Sequence, residues 1–428
     1  MFKKSFATEI GRTVPDFVVY VPKSIEKGSD CGNEHFLVFD MKDGTLGTVW
    51  TQSSFEGRSD QMIVFSRSFN GGLTWESPKT IAGGKADPAT GRGMCSWGFP
   101  VLSASGRIYV FYSKHTGVND IFSHTTGLMG CIYSNDNGVS WSEETLIPMS
   151  RDKWDNPDET IPPNWIVWQK PLQLSDGRYL TGFTHWVSPA VRPPAPLNTW
   201  WAEEAVIEFM RFENINDDPE PCNLKISRLA AGDAALQVPI PGHPDVSCAQ
   251  EPSLVELPDG GVFCVMRTAS GSPCFSVSHD CGETWTAPEI LRYKDGGAPL
   301  IHPVSPCPIY SIGNGEFVLT FHNHDGHFGK WGPFETSSHR RPIWIVKGEF
   351  RKGAEQPVWF SDPLLFMDND GIPLNNIDGN PGRTDLAMYA SLTIMDGEPV
   401  LWYPERKFFL LGKKIRRERL EIMEVDKQ

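Results

Sequence analysis

The sequence lacks the features that mark several protein classes. No apolar run approaches the ~18–20 residues a membrane helix needs. The opening stretch, Met1 to Ile10, starts basic but has no apolar run behind it, so it does not read as a secretory leader. Basic residues are outnumbered, 39 Lys and Arg against 53 Asp and Glu, giving a net charge of −14. Nucleic acid and anionic membranes need basic surfaces, so neither is an expected partner. The 9 cysteines are an odd number without paired metal-ligand spacing. Cys264, Cys274 and Cys281 lie in or near strand patterns and read as small core residues. A reduced, cytoplasmic protein is the expectation.

Turn formers, by contrast, are plentiful. The 428 residues include 40 Gly and 35 Pro with no strict period. Many turns imply many short strands. The 15 Trp fit sugar stacking at a few positions and core or repeat packing at most. On so acidic a chain, an acidic ligand requires a local basic pocket, which directs attention to clustered arginines.

One unit recurs along the chain: apolar strand, tight Gly turn, apolar strand. It spans Phe36 to Trp50, Pro100 to Tyr112, Pro171 to Phe183, Pro252 to Met266, Pro308 to Phe321, and Ser391 to Tyr403. The turns are Asp43-Gly44, Ser105-Gly106, Asp176-Gly177, Asp259-Gly260, Asn314-Gly315 and Asp396-Gly397. Asp-Gly and Asn-Gly suit tight hairpins because both central residues tolerate positive φ. Six such hairpins, about 55–85 residues apart, predict an all-β, six-bladed β-propeller with four-stranded antiparallel blades. It forms one domain over residues 1–428. A second repeat, Ser-x-Asp-x-Gly-x-Thr-Trp, appears at Ser68 to Trp75, Ser134 to Trp141 and Ser278 to Trp285. Its Asx and hydroxyl groups bond a turn, its Gly takes the left-handed position, and its Trp packs. These are structural turns.

The three turns resemble the Asp boxes, or BNR repeats, of the sialidase (neuraminidase) superfamily. The resemblance spans nearly the whole chain. Arg151 to Ile161 and Trp200 to Ala235 fit it poorly and read as inserted loops. Lys347 to Phe360 sits where a fourth box would fall but lacks its residues.

Hairpin geometry locates the working face. The start of a hairpin's first strand and the end of its second lie at one end, with the Gly turns and Asp boxes at the other. Candidates at that end are Gln52, Glu56, Arg58 and Asp60 in blade one, and Trp97 and His115 in blade two. Blade three adds Gln169, His185 and Trp186. Glu251 and Arg267 follow in blade four, His322, Arg340 and Arg341 in blade five, and Arg383, Tyr389 and Arg406 in blade six.

Two segments resemble the family closely. Gln250-Glu251-Pro252 leads into a Val-Glu-Leu-Pro-Asp-Gly hairpin that ends at Met266-Arg267. Tyr389-Ala390-Ser391-Leu392-Thr393 is similar to the segment that carries the sialidase nucleophile. The resemblance implies Tyr389 as nucleophile, Glu251 as its base and Asp60 as acid/base. It implies Arg267, and Arg340 or Arg341, as carboxylate-binding arginines. The pairing has a physical logic. Tyr has a reference pKa of ~10 and needs a base to become nucleophilic. A neutral Tyr also avoids repelling a sugar that carries its own carboxylate. Arginine matches carboxylate with bidentate geometry. Where the family begins blade one with an arginine motif, this chain reads Asn33-Glu34-His35-Phe36-Leu37-Val38. Arg58, Arg383 or Arg406 is left to fill that role.

In His322-Asn-His324-Asp325-Gly-His327 the alternating histidines point to opposite faces of a strand, which disfavours joint metal ligation. One is expected to line the pocket as a hydrogen-bond partner or general base. No metal or cofactor is called for. The expected activity is an exo-acting, retaining glycoside hydrolase for sialylated or otherwise acidic glycan. Two readings stay open beside it: a glycosidase or lyase acting on another sugar such as a uronate, with Tyr389, His185 or His322 as base, and a carbohydrate-binding propeller without catalysis.

Overall fold

Each of the six Gly turns joins the two inner strands of an antiparallel sheet, and the six sheets form the blades of a propeller. The computed structural model describes residues 13–23, 28, 30–194, 203–333, 335–374, 382–386 and 389–426. The leader reading on Met1 to Ile10 lies outside them. Among the described residues, no helix is long and apolar enough to cross a membrane.

Blade I runs Gly32–Asp40, Leu46–Ser53, Met62–Ser68 and Lys79–Ala82. Blade II runs Cys95–Leu102, Ile108–Lys114, Leu128–Ser134 and Thr145–Ile147. In blade III the inner strand is split into Trp165–Ile166 and Leu172–Gln173, both paired with Tyr179–Trp186. Ala205–Phe212 and Ile226–Leu229 complete it. Blade IV runs Ala249–Glu256, Val262–Thr268, Cys274–Ser278 and Glu289–Ile290. Blade V runs Ile309–Gly313, Glu316–Phe321, Ile343–Phe350 and Val358–Phe360, with Leu364–Met367 added against the third strand. Blade VI takes Ser391–Met395, Glu398–Glu405 and Phe409–Lys414 from the C-terminal end of the chain. Its fourth strand is Phe17–Tyr20, with Phe17 opposite Gly412. The hairpin count does not show this strand, because its partner lies at the other end of the sequence.

Two sequence expectations need adjusting. Only Asn314-Gly315 and Asp396-Gly397 place both turn residues at positive φ. The other four turns use the Gly alone in longer loops, as where Met41 N–H bonds the Thr45 carbonyl at 2.8 Å. The segment Trp200 to Ala235 is more than an insertion. Its first residues lie outside the described ones, but it supplies the two outer strands of blade III.

The Asp boxes join blades. In the first, Gly72 N–H bonds Ser68 Oγ at 2.8 Å and Thr74 N–H bonds Asn70 Oδ1 at 2.9 Å. The other two repeat this at Gly138 to Ser134 and Gly282 to Ser278. Each box Trp packs on the preceding blade. Trp75 meets Trp402 of blade VI edge-on at 5.8 Å, Trp141 meets Phe65 of blade I at 5.3 Å, and Trp285 stacks on Phe209 of blade III at 4.1 Å. The turn thus forms a wedge between sheets as well as a connection.

The wedge predicts unequal costs for two glycines. Gly44 (φ 80°) has open space where a Cβ would stand, so Gly44→Ala carries only backbone strain, about 1–2 kcal/mol. At Gly72 (φ 80°) the Cβ would stand 2.5 Å from Trp402 Cη2, so Gly72→Ala adds a clash. Urea unfolding is expected to show a clearly larger loss for Gly72→Ala. Equal losses would count against the wedge.

Candidate active site

The inner strands of blades I, II and IV begin with a local distortion that aims side chains at the centre of the ring. Pairing slips by a residue between Glu34 and Leu37, between Ser96 and Phe99, and between Gln250 and Ser253. Within these bulges His35, Trp97 and Glu251 take φ of 55°, 58° and 47°, and Tyr389, just before the blade VI inner strand, takes 60°. A bulge re-aims a side chain, and left-handed backbone in a non-glycine residue costs about 1–3 kcal/mol. Neighbouring blades hold the strained positions. Trp97 N–H bonds Thr51 Oγ1 at 2.9 Å, Glu251 N–H bonds Thr184 Oγ1 at 2.7 Å, and the Tyr389 carbonyl accepts from Phe36 N–H at 3.1 Å.

These bulges bring blade IV and blade VI into contact. The Tyr389 hydroxyl donates to Glu251 Oε1 at 2.8 Å, and Arg267 Nη1 donates to Glu251 Oε2 at 2.9 Å. All three side chains are buried. They line a cavity of about 250 Å³ together with Trp97, Trp186, Phe122, Ile166, His124, Thr125, Gln250, Ser337, Glu56 and Arg383. Aromatic and aliphatic surface thus faces a small set of charged groups, the usual form of a small-molecule site.

The electrostatics follow from burial and pairing. Burial, then the Glu251 charge, raises the Tyr389 phenol well above its ordinary range, opposed by Arg340 and Arg267. The phenol is therefore neutral and hydrogen-bonded to a base. Burial and the nearby Arg267 lower the Arg340 guanidinium, which also feels the charges of Tyr389 and Glu251. Burial alone would raise Glu56, but Lys407, Arg383 and His124 outweigh it and hold its carboxyl well below the usual range. Glu56 Oε2 accepts from Arg383 at 2.5 Å and Oε1 accepts from Lys407 at 2.6 Å. Lys407 also bonds Glu34 Oε2 at 2.9 Å. Burial and the Glu56 charge push Glu34 up to about 7, against the pull of Lys407. His124 is lowered to about 4 by burial, opposed by Glu56.

Of the residues named from the sequence, Tyr389, Glu251, Arg267, Trp97, Trp186, Glu56 and Arg383 meet in the cavity wall, and the charge of Arg340 reaches that group. The others lie elsewhere, each for a visible reason. Asp60 accepts from Ser54 N–H (3.0 Å) and Oγ (3.1 Å) and closes its own loop beside a separate hollow. Arg58 is exposed on that loop. Gln52 bonds Asn33 Oδ1 at 2.9 Å, a partner it shares with Trp50 Nε1. His115 Nδ1 bonds the Thr126 carbonyl at 2.9 Å. Gln169 reaches across the ring to Tyr310 OH (3.3 Å) and the Ala390 carbonyl (3.2 Å). Arg341 forms a two-pronged pair with Asp368, and Arg406 bonds the Ile372 carbonyl, Asp370 and Glu405. His322 packs on His302 with ring centroids 5.2 Å apart and bonds the Pro342 carbonyl.

His185 lies between Asp155 (3.2 Å) and Glu208 (3.3 Å), with Arg228 bonded to Glu208 and Asp152. Asp152, Asp155 and His185 bring possible ligand atoms within 4.8 Å of one another. Arg228 already neutralises part of this set, which ties the loop after blade II to blade III. Sequence reasoning passed over Glu34 and Lys407. Glu34 lies near the start of the blade I inner strand and Lys407 in a turn on the predicted working face, so both were open to the same positional rule.

A family model described as a BNR repeat-like domain matches residues 44–370. Among solved structures, the fold is similar to the Hadza microbial sialidase Hz136 at 15% identity, TM-score 0.59, covering 91% of this chain and 67% of that one. It is also similar to the leech intramolecular trans-sialidase, at 13% identity, TM-score 0.59 and coverages of 95% and 71%. The intramolecular trans-sialidase of Ruminococcus gnavus aligns at 14% identity, TM-score 0.56 and coverages of 94% and 98%. At such identities the likeness is one of fold. Comparison with curated proteins gives no match.

The buried histidines set a pH dependence. Burial lowers His35 and His302 to about 3 and His339 to about 4, and takes His322 well below its ordinary value. Above the unfolded value of ~6.5 these groups are neutral in both states. As the pH falls below it, the unfolded chain takes up protons that the fold refuses, so stability declines by about 1.4 kcal/mol per histidine at pH ~5.5. His185 acts oppositely. Burial would lower it, but its bonds to Asp155 and Glu208 raise it to about 9, so its contribution is full below ~6.5 and is lost as pH rises through about 9. Urea unfolding is expected to show maximal stability near neutrality and a loss of several kcal/mol at pH ~5.5. A flat profile would contradict this assignment.

Proposed function

The chain belongs to the BNR repeat-like domain family, and from that membership we propose an exo-acting, retaining glycoside hydrolase that releases a terminal acidic sugar, sialic acid first. The observation that carries the reading is the buried bond from Tyr389 OH to Glu251 Oε1 at 2.8 Å, with Arg267 on the other carboxylate oxygen. In the first step Tyr389 Oη attacks the anomeric carbon as Glu251 takes its proton, and the leaving oxygen departs with the bonding electrons. In the second, water attacks the same carbon, the carbon–Oη bond breaks toward Oη, Glu251 returns its proton to Oη, and the proton shed by water passes to solvent. Arg267, Arg340 and Arg383 supply positive charge for the sugar carboxylate. Trp97 and Trp186 offer apolar faces to the ring.

A second reading has a specific support. The stretch Asn33 to Val38 holds no arginine where the family's blade-one motif has one, which suits a different acidic sugar such as a uronate. Glycosidase action on that sugar keeps the same Tyr–Glu pair.

Leaving-group dependence follows from the wall's chemistry. Glu56 is held ionised by Lys407 and Arg383, and Asp60 bonds its own loop, so neither is poised to protonate a departing oxygen. Aryl α-sialosides with acidic phenols are expected to react far faster than alkyl ones. For the pair itself, Tyr389→Phe is expected to reduce release from an aryl α-sialoside to background, and Glu251→Gln to lower kcat by about 10²–10⁴. Wild-type turnover of an aryl uronide but not the sialoside would select the second reading. Unchanged activity in Tyr389→Phe would end both.

A further inference from the structure

The turn between the second and third strands of blade VI is built against its own backbone preference. Arg406 and Lys407 occupy its centre at φ 57° and 50°, and Phe408 N–H closes it on the Glu405 carbonyl at 2.9 Å. Tight hairpins with two left-handed residues favour Asn and Gly there, and two long cationic side chains add strain. Both side chains are anchored. Arg406 is held by the Ile372 carbonyl, Asp370 and Glu405. Lys407, almost fully buried, crosses to blade I, where Glu34 and Glu56 grip its ammonium. Gln61 Nε2 holds the far oxygen of Glu34 at 2.9 Å, and Asn33 N–H bonds the Lys407 carbonyl at 2.7 Å. The ammonium so fixed lies over the face of the Tyr389 ring, 4.7 Å from its centroid.

We infer that Lys407 is a positioning residue that acts through Tyr389, favouring the ring when its oxygen carries negative charge. The inference rests on the Tyr389–Glu251 reading. A cation over an aromatic face is attracted by the ring's electron density, and burial strengthens the attraction. That density is least while Oη is bound to the sugar and greatest as Oη leaves. Charge grows on Oη in both steps, as Glu251 takes its proton and as Oη leaves the sugar. With an acidic phenol as leaving group the first step is fast, so the effect is read in breakdown of the glycosyl-enzyme. Water forms its bond to the anomeric carbon, the carbon–Oη bond breaks with its electron pair going to Oη, Glu251 returns its proton there, and the proton shed by water passes to solvent. No further reactant is needed. Glu34 and Glu56 keep the ammonium on the ring and away from the sugar.

The test is pre-steady-state hydrolysis of an aryl α-sialoside with an acidic phenol by wild type, Lys407→Met, Lys407→Arg and Glu34→Gln, each checked for folding by thermal melting. Lys407→Met is expected to show a burst of about one phenol per enzyme. Its kcat is expected to fall by about tenfold. Quenched enzyme should carry the sugar on the peptide containing Tyr389. Lys407→Arg, which keeps the charge, should restore kcat. Glu34→Gln removes a neutralising charge and should raise kcat, a sign that a merely structural role would not give. Adduct on Tyr389 in wild type, with kcat unchanged in Lys407→Met or lowered in Glu34→Gln, overturns the role of Lys407 alone. Where the sialoside is not turned over, the same series is run on the matching aryl uronide. Absence of turnover and of adduct in wild type on both substrates overturns the Tyr389 reading, and the Lys407 role with it.

Discussion

The cavity exists because six inner strands converge on one axis, and bonds across that axis hold them there. Lys170, from blade III, donates to the Val38 carbonyl of blade I at 2.8 Å and the Leu392 carbonyl of blade VI at 2.9 Å. Gln169 and Tyr310 both reach the Ala390 carbonyl. These carbonyls belong to inner strands or their approaches and have no sheet neighbour on the axis side. A buried carbonyl left without a donor is costly, so side chains from the opposite blade are drawn to it. The result fixes Ala390, and with it Tyr389, relative to blades III and V.

Outward from the axis, cohesion comes from apolar packing between sheets. Trp402 shows the principle. It is fully buried, bonds Thr393 Oγ1 through its Nε1 at 2.8 Å, and receives both Phe17 of the closing strand and the Asp-box Trp75 of blade I. The first and last blades therefore share one cluster, and the N-terminal strand adds its own edge bonds to the sheet. Phe17–Tyr20 thereby takes over from Phe409–Lys414 as the outer edge of blade VI.

Function and stability pull against each other at the strand starts. Left-handed backbone at Trp97, Glu251 and Tyr389, and again at Arg406 and Lys407, is tolerated because neighbouring blades bond the strained segments. Buried like charges are tolerated for the same reason. Arg267 sits against Glu251, and Lys407 and Arg383 share Glu56, so the cations of the cavity wall are partly neutralised by their own neighbours. Paired in this way, they avoid the heavy penalty of isolated buried charge.

The blades were legible because their signals are local. Gly turns, alternating strands and the Ser-x-Asp-x-Gly-x-Thr-Trp turn are each written within about a dozen residues, and hairpin geometry then assigns the ends of the ring. That reasoning put Glu251, Arg267 and Tyr389 on one face, and the family resemblance paired Tyr389 with Glu251 across a separation of 138 residues. It also selected Asp60, Gln52 and His185, which sit at the ends of strands or in their loops and yet bond Ser54, Asn33 and a pair of carboxylates. Position along a strand says which end of the ring a residue occupies. Whether its side chain faces the axis or a neighbour depends on bulges, on the partners that neighbouring blades present, and on which charges pair first. Those are contacts between residues far apart in the chain. Lys407, Glu34 and Glu56 meet from two blades at opposite ends of the sequence, and no local pattern encodes that meeting.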